Sequence, residues 1–134
     1  MGFLSRLLSP LRSSASRPVD KSPVQEERAE QLIEQGNSHE DAGDLVSAMR
    51  CYDDAIALAP ALARAHLTRG NALQLLNRLD DALTAYNTAA TLKADYAGAH
   101  FNLGNVNMRL GRHGEAISGY QAALKLNPHY VEAE

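Results

Sequence analysis

Large aromatic residues are scarce in this 134-residue chain, which has no tryptophan, two phenylalanines and five tyrosines. A thick core draws on such side chains, so small residues must do much of the packing here. The one cysteine, Cys51, excludes an intramolecular disulfide and points to a reducing compartment. No apolar run is longer than a few residues, which excludes a transmembrane helix. The length allows one compact domain or a short repeat array and is too small for two ordinary cores.

Basic charge is scarce too, and it is unevenly placed. Residues 1–25 carry Arg6, Arg12, Arg17 and Lys21 against Asp20, a net +3, while the remainder holds 9 basic and 15 acidic residues, a net −6. An acidic folded part suits phosphate backbones poorly, because nucleic-acid binding depends on clustered Lys and Arg releasing counterions. No nucleic-acid partner is expected.

The basic head, residues 1–25, divides into a short amphipathic stretch and a Ser/Pro-rich tether. Phe3, Leu4, Leu7, Leu8 and Leu11 recur at helical spacing with Arg6 and Arg12 off that stripe, and Pro10 limits any helix to about two turns. Three readings stay open: a membrane-surface contact by residues 1–12, an organelle transit segment, and a terminus without a fold of its own. Gly2 does not mark a myristoylation site, because Arg6 stands where that motif has Ser or Thr.

Residues 26–134 are expected to form a repeat array. In blocks of 34 the chain reads AEQLIEQGNSHEDAGDLVSAMRCYDDAIALAPAL from Ala29, ARAHLTRGNALQLLNRLDDALTAYNTAATLKADY from Ala63, and AGAHFNLGNVNMRLGRHGEAISGYQAALKLNPHY from Ala97. Seven columns are identical in all three blocks, 29–62, 63–96 and 97–130. They are Ala29/Ala63/Ala97, Gly36/Gly70/Gly104, Asn37/Asn71/Asn105, Ala48/Ala82/Ala116, Tyr52/Tyr86/Tyr120, Ala55/Ala89/Ala123 and Leu58/Leu92/Leu126. Each block breaks at Gly43, Asn77 or Gly111, residues suited to the left-handed conformation that ends a helix, so two helices per block are expected. In the second helix, Ala48, Tyr52, Ala55 and Leu58 fall on one face, predicted to be the packed one. Pro60 and Pro128 are expected to stop one helix and start the next; Ala94, in the matching place, predicts a less sharply defined junction. Val131 begins what reads as a truncated fourth repeat, which implies a fragment with an uncapped end open to self-association.

These residues are where the pattern resembles a known family. Gly36, Ala48, Tyr52, Ala55 and Pro60, with their copies at 34-residue steps (Gly70, Ala82, Tyr86, Ala89; Gly104, Ala116, Tyr120, Ala123, Pro128), are similar to the tetratricopeptide repeat pattern. The resemblance implies an all-α fold, a right-handed α-solenoid of antiparallel helix pairs with three units and the start of a fourth. The family's aromatic near the start of the first helix is replaced by Leu32, His66 and His100, and its later Tyr by His39, Leu73 and Asn107.

The resemblance also implies a concave side lined by the first helix of each pair. Ile33, Asn37 and Glu40, then Leu67, Asn71 and Gln74, then Phe101, Asn105 and Met108 share one stripe. A column of Asn beside a column of Ile, Leu and Phe offers amide groups for an extended peptide backbone and apolar contact for its side chains. A protein or peptide partner held by Ile33, Asn37, Leu67, Asn71, Phe101, Asn102 and Asn105 is therefore expected. The alternative is that the Asn amides bond neighbouring helices and the apolar column packs between repeats. The carboxylate-clamp type of the family is excluded, since basic residues are missing at Ile33, Gly98 and Asn102 and only Asn37 matches. FNLGNV, from Phe101 to Val106, is similar to the repeats of O-linked N-acetylglucosamine transferases. That similarity implies a second reading, the substrate-recruiting region of a longer transferase.

No catalytic constellation is present in the sequence. His39-Glu40 lacks the second helical His of a zinc protease, and no Gly-rich loop carries a phosphate-binding Lys. His66 and His100 share one repeat position, which points to packing rather than metal binding, and Cys51 reads as a packing residue. The expectation is a non-enzymatic, cytoplasmic interaction scaffold with no cofactor and no metal.

Overall fold

The computed structural model describes residues 23–129, which form six α-helices and, among the described residues, no strand. The helices are α1 (Pro23–Asp41), α2 (Leu45–Leu58), α3 (Ala63–Leu75), α4 (Leu79–Leu92), α5 (Ala97–Arg109) and α6 (His113–Leu126). From α2 onward each boundary recurs after a shift of 34 residues, the period of the sequence. The fold is an all-α solenoid. Helix α1 opens on Pro23, where a missing N–H leaves no bond unmade. It thereby takes in Pro23–Gln25, which the composition assigned to the head. The membrane-contact and targeting readings of the head, and the start of a fourth repeat at Val131, lie outside the described residues.

The turn inside each pair is set by one residue. Gly43, Asn77 and Gly111 have φ of 83°, 60° and 77°. Around each, two backbone N–H groups reach back over the helix end: Asp44 to His39 O, Arg78 to Leu73 O and Arg112 to Asn107 O close the outer bonds at 2.8–2.9 Å. Helix α2 has a side-chain cap as well. Asp44 accepts from the Ser47 N–H at 3.1 Å, and the Ser47 hydroxyl, followed by this N–H, holds its carboxyl below the usual carboxylate range.

Within each pair the helices pack through small residues. A Cβ on Gly36, Gly70 or Gly104 would stand 2.4 to 2.7 Å from a ring carbon of Tyr52, Tyr86 or Tyr120. Glycine is therefore what lets the tyrosine lie flat against the first helix. Ala48, Tyr52, Ala55, Ala82, Tyr86, Ala89, Ala116 and Ala123 are fully buried, as the spacing predicts. The last column fares less well, for Leu58 is half-buried while Leu92 and Leu126 stay exposed in their final turns. Between pairs, α2 packs on α3 and α4 on α5, while α1, α3 and α5 follow one another along one side. Tyr120 is half-buried, and Ile117 and Leu124 are exposed, on the α6 face that no described helix covers.

The junction between pairs differs from expectation. Pro60 does not start a helix, since α3 begins at Ala63, and the Ala94 junction is as well defined as the Pro60 junction. Histidine is the reason. His66 Nε2–H donates to Pro60 O at 2.8 Å and His100 Nε2–H donates to Ala94 O at 2.9 Å, so one ring clamps each connection. Leu62 N–H to Ala59 O and Tyr96 N–H to Lys93 O close matching turns. The repeated histidine column is structural.

Candidate functional site

The first helices carry the candidate site, and their polar side chains are tied into the fold in a regular way. Tyr52 donates its hydroxyl to Asn37 Oδ1 at 2.8 Å, Tyr86 to Asn71 Oδ1 at 2.6 Å and Tyr120 to Asn105 Oδ1 at 2.6 Å. The separation is 15 residues each time. Glu40 Oε1 lies 2.9 Å from the Tyr52 hydroxyl and Gln74 Oε1 lies 3.0 Å from that of Tyr86; Met108 replaces this second acceptor in the third repeat. Burial, with the Glu40 bond added at Tyr52, pushes both phenols far up. They remain protonated donors throughout the physiological range.

A tyrosine hydroxyl that donates must find an oxygen, so it turns each Asn amide oxygen inward. That leaves the amide Nδ2, a donor, outside the tyrosine bond, once per repeat on one stripe. Asn102 Nδ2 extends the pattern by donating to Asn71 Oδ1 at 3.0 Å, which ties the third repeat to the second. The tyrosine partners are the functional neighbours that sequence reasoning missed. Their signal was present, in two invariant columns at a constant separation.

The remaining predicted residues divide. Leu67, Asn71, Asn102 and Asn105 are half-buried along the stripe, with Leu75 and Met108 more exposed beside them. Ile33 is fully buried among Ala29, Ala48 and Tyr52, so it is core and offers a partner no surface. Phe101 is nearly so, its ring tilted against Tyr120 with centroids 5.5 Å apart. The spacing alone puts the large apolar residues of this column on the groove wall, whereas helix α1 turns Ile33 toward the second helix.

Charge along the stripe is uneven. Arg64 reaches back to both Glu30 and Glu34, with its Nη2 2.7 Å from Glu34 Oε1. Thr68, in the column shared by Glu34 and Asn102, spends its hydroxyl on the carbonyls of Arg64 and Ala65 in its own helix. Arg109 donates to Gln74 O at 3.2 Å and Asn77 Oδ1 at 2.9 Å, stapling α5 to the preceding turn. Between these groups Glu40, Asn71, Gln74, Leu75 and Arg109 line a recess of about 290 Å³. Cys51 sits apart from this surface, and burial followed by Asp54 pushes its thiol up, away from the reactive thiolate. Among the described residues no group of three or more His, Cys, Asp or Glu is placed to hold a metal ion.

Comparison with known proteins places this geometry. Residues 70–111 match the family model described as TPR repeat, and residues 97–130 match the tetratricopeptide repeat model. Residues 70–130 are tetratricopeptide repeats. Residues 29–69 carry the same columns and the same helix pairing. No curated protein matches the chain. Among solved structures, the tetratricopeptide array is similar to the first TPR of Spaghetti (RPAP3) bound to the HSP90 peptide SRMEEVD. That match has 27% identity and a TM-score of 0.76, covering 80% of this chain and 85% of that one. It is also similar to the Arabidopsis OM64 TPR domain, with 26% identity and a TM-score of 0.75 over 78% of this chain and 87% of that one. MamA shares the fold at 24% identity and a TM-score of 0.72, over 91% of this chain and 67% of its own.

Proposed function

We propose that this chain is a non-catalytic protein-interaction scaffold whose α1–α3–α5 face holds an extended peptide segment. The observation that carries the reading is the tyrosine-oriented Asn stripe, which presents one amide donor per repeat at Asn37, Asn71 and Asn105. Fixed donors at regular intervals suit the carbonyls of an extended backbone, and Leu67, Leu75 and Met108 supply apolar contact for its side chains. The Spaghetti (RPAP3) repeat bound to a peptide supports the mode of binding. It does not carry over the sequence bound. The acidic peptide of that complex would meet Glu30, Glu34 and Glu40 here, with Arg64 already engaged, so the partner segment is neutral or basic.

The experiment is to select displayed peptides on the full chain and titrate the best of them against Asn37→Asp/Asn71→Asp/Asn105→Asp. Aspartate keeps the oxygen that each tyrosine needs, exchanges the amide donor for an acceptor and adds one negative charge, so the titration is run at low and at high salt to separate the lost donor from the added charge. Loss of at least about tenfold in affinity at an unchanged melting temperature supports the reading. Equal affinity in the folded variant overturns it. SRMEEVD is the negative control, expected not to bind.

The substrate-recruiting region of a longer transferase is the second reading, and its support is the FNLGNV segment. A cytoplasmic location belongs to the proposal and is tested by cell fractionation.

A further inference from the structure

The two ends of the array are built differently. Helices α3 and α5 turn small apolar side chains toward the preceding pair, at Ala65 and Ala72 and at Ala99 and Val106, all fully buried. Helix α1 carries Gln31 and Ser38 in those two columns, with Gln35 between them on the same stripe, and all three are exposed. A polar outer face is what ends a solenoid in water. The first end is closed to stacking.

The last end is not. The outward columns of the second helices are Met49, Leu83 and Ile117, and Ile56, Ala90 and Leu124. Met49 and Ile56 on α2, and Leu83 and Ala90 on α4, are half-buried against the clusters to which α3 and α5 contribute. On α6, where no described helix follows, Ile117 is 53% exposed and Leu124 is 39% exposed. Tyr120 is half-buried, whereas Tyr52 and Tyr86 are fully buried.

Two copies of the chain can meet through this face in two ways. Head-to-tail stacking would lay Gln31, Gln35 and Ser38 of one copy against Ile117 and Leu124 of the next, which strips polar groups of water and returns no hydrogen bonds from those apolar side chains. A symmetric pair instead lays α6 on α6, and such a contact must be complementary to itself. The stripe meets that condition. Ile117, Tyr120, Gln121 and Leu124 are spaced by 3, 1 and 3 residues, so the stripe reads alike in both directions about a midpoint between Tyr120 and Gln121. Antiparallel helices crossing at that midpoint set Ile117 of each copy against Leu124 of the other, and the two Gln121 amides, each with donor and acceptor, meet near the axis. None of these four residues is charged, so self-pairing brings no like charges together.

We propose that the α6 face is a self-association surface through which two copies of this chain pair symmetrically, α6 antiparallel to α6, and that association stops at two because α1 is polar. The proposal stands apart from the peptide reading, since the Asn stripe lies on α1, α3 and α5. One stripe on one helix offers less than the roughly 800 Å² per partner of a standard interface, so the pair is weak and forms at high protein concentration.

Sedimentation equilibrium of the full chain, from about 10 μM to about 1 mM, tests this. The mass is expected to rise from 14.5 kDa and to level at twice that value. Ile117→Lys and Leu124→Glu, both at exposed positions, are each expected to hold the mass at that of one chain with the melting temperature of the dilute protein unchanged. Mixed in equal amounts they are expected to pair again, because the new lysine of one copy faces the new glutamate of the other. Ile117→Lys mixed with Ile117→Glu is expected not to. A single-chain mass up to the highest concentration overturns the proposal, whether residues 130–134 or a different protein cover α6. Growth beyond two copies overturns the symmetric closure, and pairing that survives Ile117→Lys overturns the placement on α6. Recovery by the second mixture in place of the first overturns the antiparallel arrangement, and recovery by neither overturns the contact of Ile117 with Leu124.

Discussion

Gly70→Ala separates helix propensity from packing. Alanine is favoured over glycine inside a helix by about 1 kcal/mol, so local reasoning predicts a more stable protein. The tertiary structure predicts the reverse. The new Cβ would lie 2.6 Å from Tyr86 Cε1, 2.8 Å from Cδ1 and 3.0 Å from Cζ, against an ordinary carbon contact of about 3.5–4 Å. The ring is fully buried and its hydroxyl is held by Asn71, so it cannot swing aside without breaking that bond. Overpacking costs about 1–3 kcal/mol, and an overlap this large on a held ring belongs in the upper half of that range. A net loss of about 1–2 kcal/mol remains after the propensity gain. Urea unfolding followed by circular dichroism measures it. Gly36→Ala, against the equally buried Tyr52, should behave alike, whereas Gly104→Ala should lose less because Tyr120 is half-buried and has room to shift. Gly114→Ala is the control, since nothing lies within 4 Å of its added Cβ, and it should not destabilise. A Gly70→Ala protein as stable as the parent would refute the reasoning. Recovery of part of the loss by Tyr86→Leu in the same background would tie the cost to that one contact.

Other substitutions test neighbouring parts of the same account. Ala82→Leu should cost on the order of 1–3 kcal/mol by thermal unfolding, because Ala82 is fully buried where α4 packs. Asn71→Ala should lower stability by about 0.5–1.5 kcal/mol, since Tyr86 keeps only Gln74 Oε1 as acceptor and Asn102 Nδ2 loses the Asn71 oxygen, while Asn71→Asp should be milder; equal losses would mean that these hydrogen bonds are not what matters. The Asp44 carboxyl lies below its ordinary range when folded, so its cap stabilises at neutral pH and is lost as pH falls through the folded value. Asp44→Asn should therefore flatten the acid limb of the melting-temperature profile between about pH 5 and pH 2, and an unchanged limb would refute the assignment. Arg64→Ala breaks exposed pairs with Glu30 and Glu34 and should cost no more than about 1 kcal/mol, shrinking further in high salt.

The period of 34 and the seven invariant columns were enough to determine the helix pairs, because each column repeats one local requirement. A left-handed residue ends a helix at Gly43, Asn77 and Gly111, and a glycine faces a tyrosine within every pair. Such requirements are local or nearly so, and a sequence states them directly. The junctions are not legible from Pro60, because the bond that shapes each connection comes from a histidine six residues later. Helical spacing gives the stripe that Ile33 belongs to, whereas the rotation of that stripe against its neighbours, which buries Ile33, is set by packing. The Asn stripe is legible as a column, but its partners are not, for only the folded pair shows that each tyrosine hydroxyl takes the amide oxygen and leaves the nitrogen out of that bond. A recess of about 370 Å³ between α4, α5 and α6, lined by Asn87, Leu103 and Asn107 among others, depended on tertiary structure altogether. Asn87, Leu103 and Asn107 are unremarkable in sequence, and they bound an open space only because the solenoid sets α4, α5 and α6 side by side where the previous junction is closed by Arg69 and Asp53.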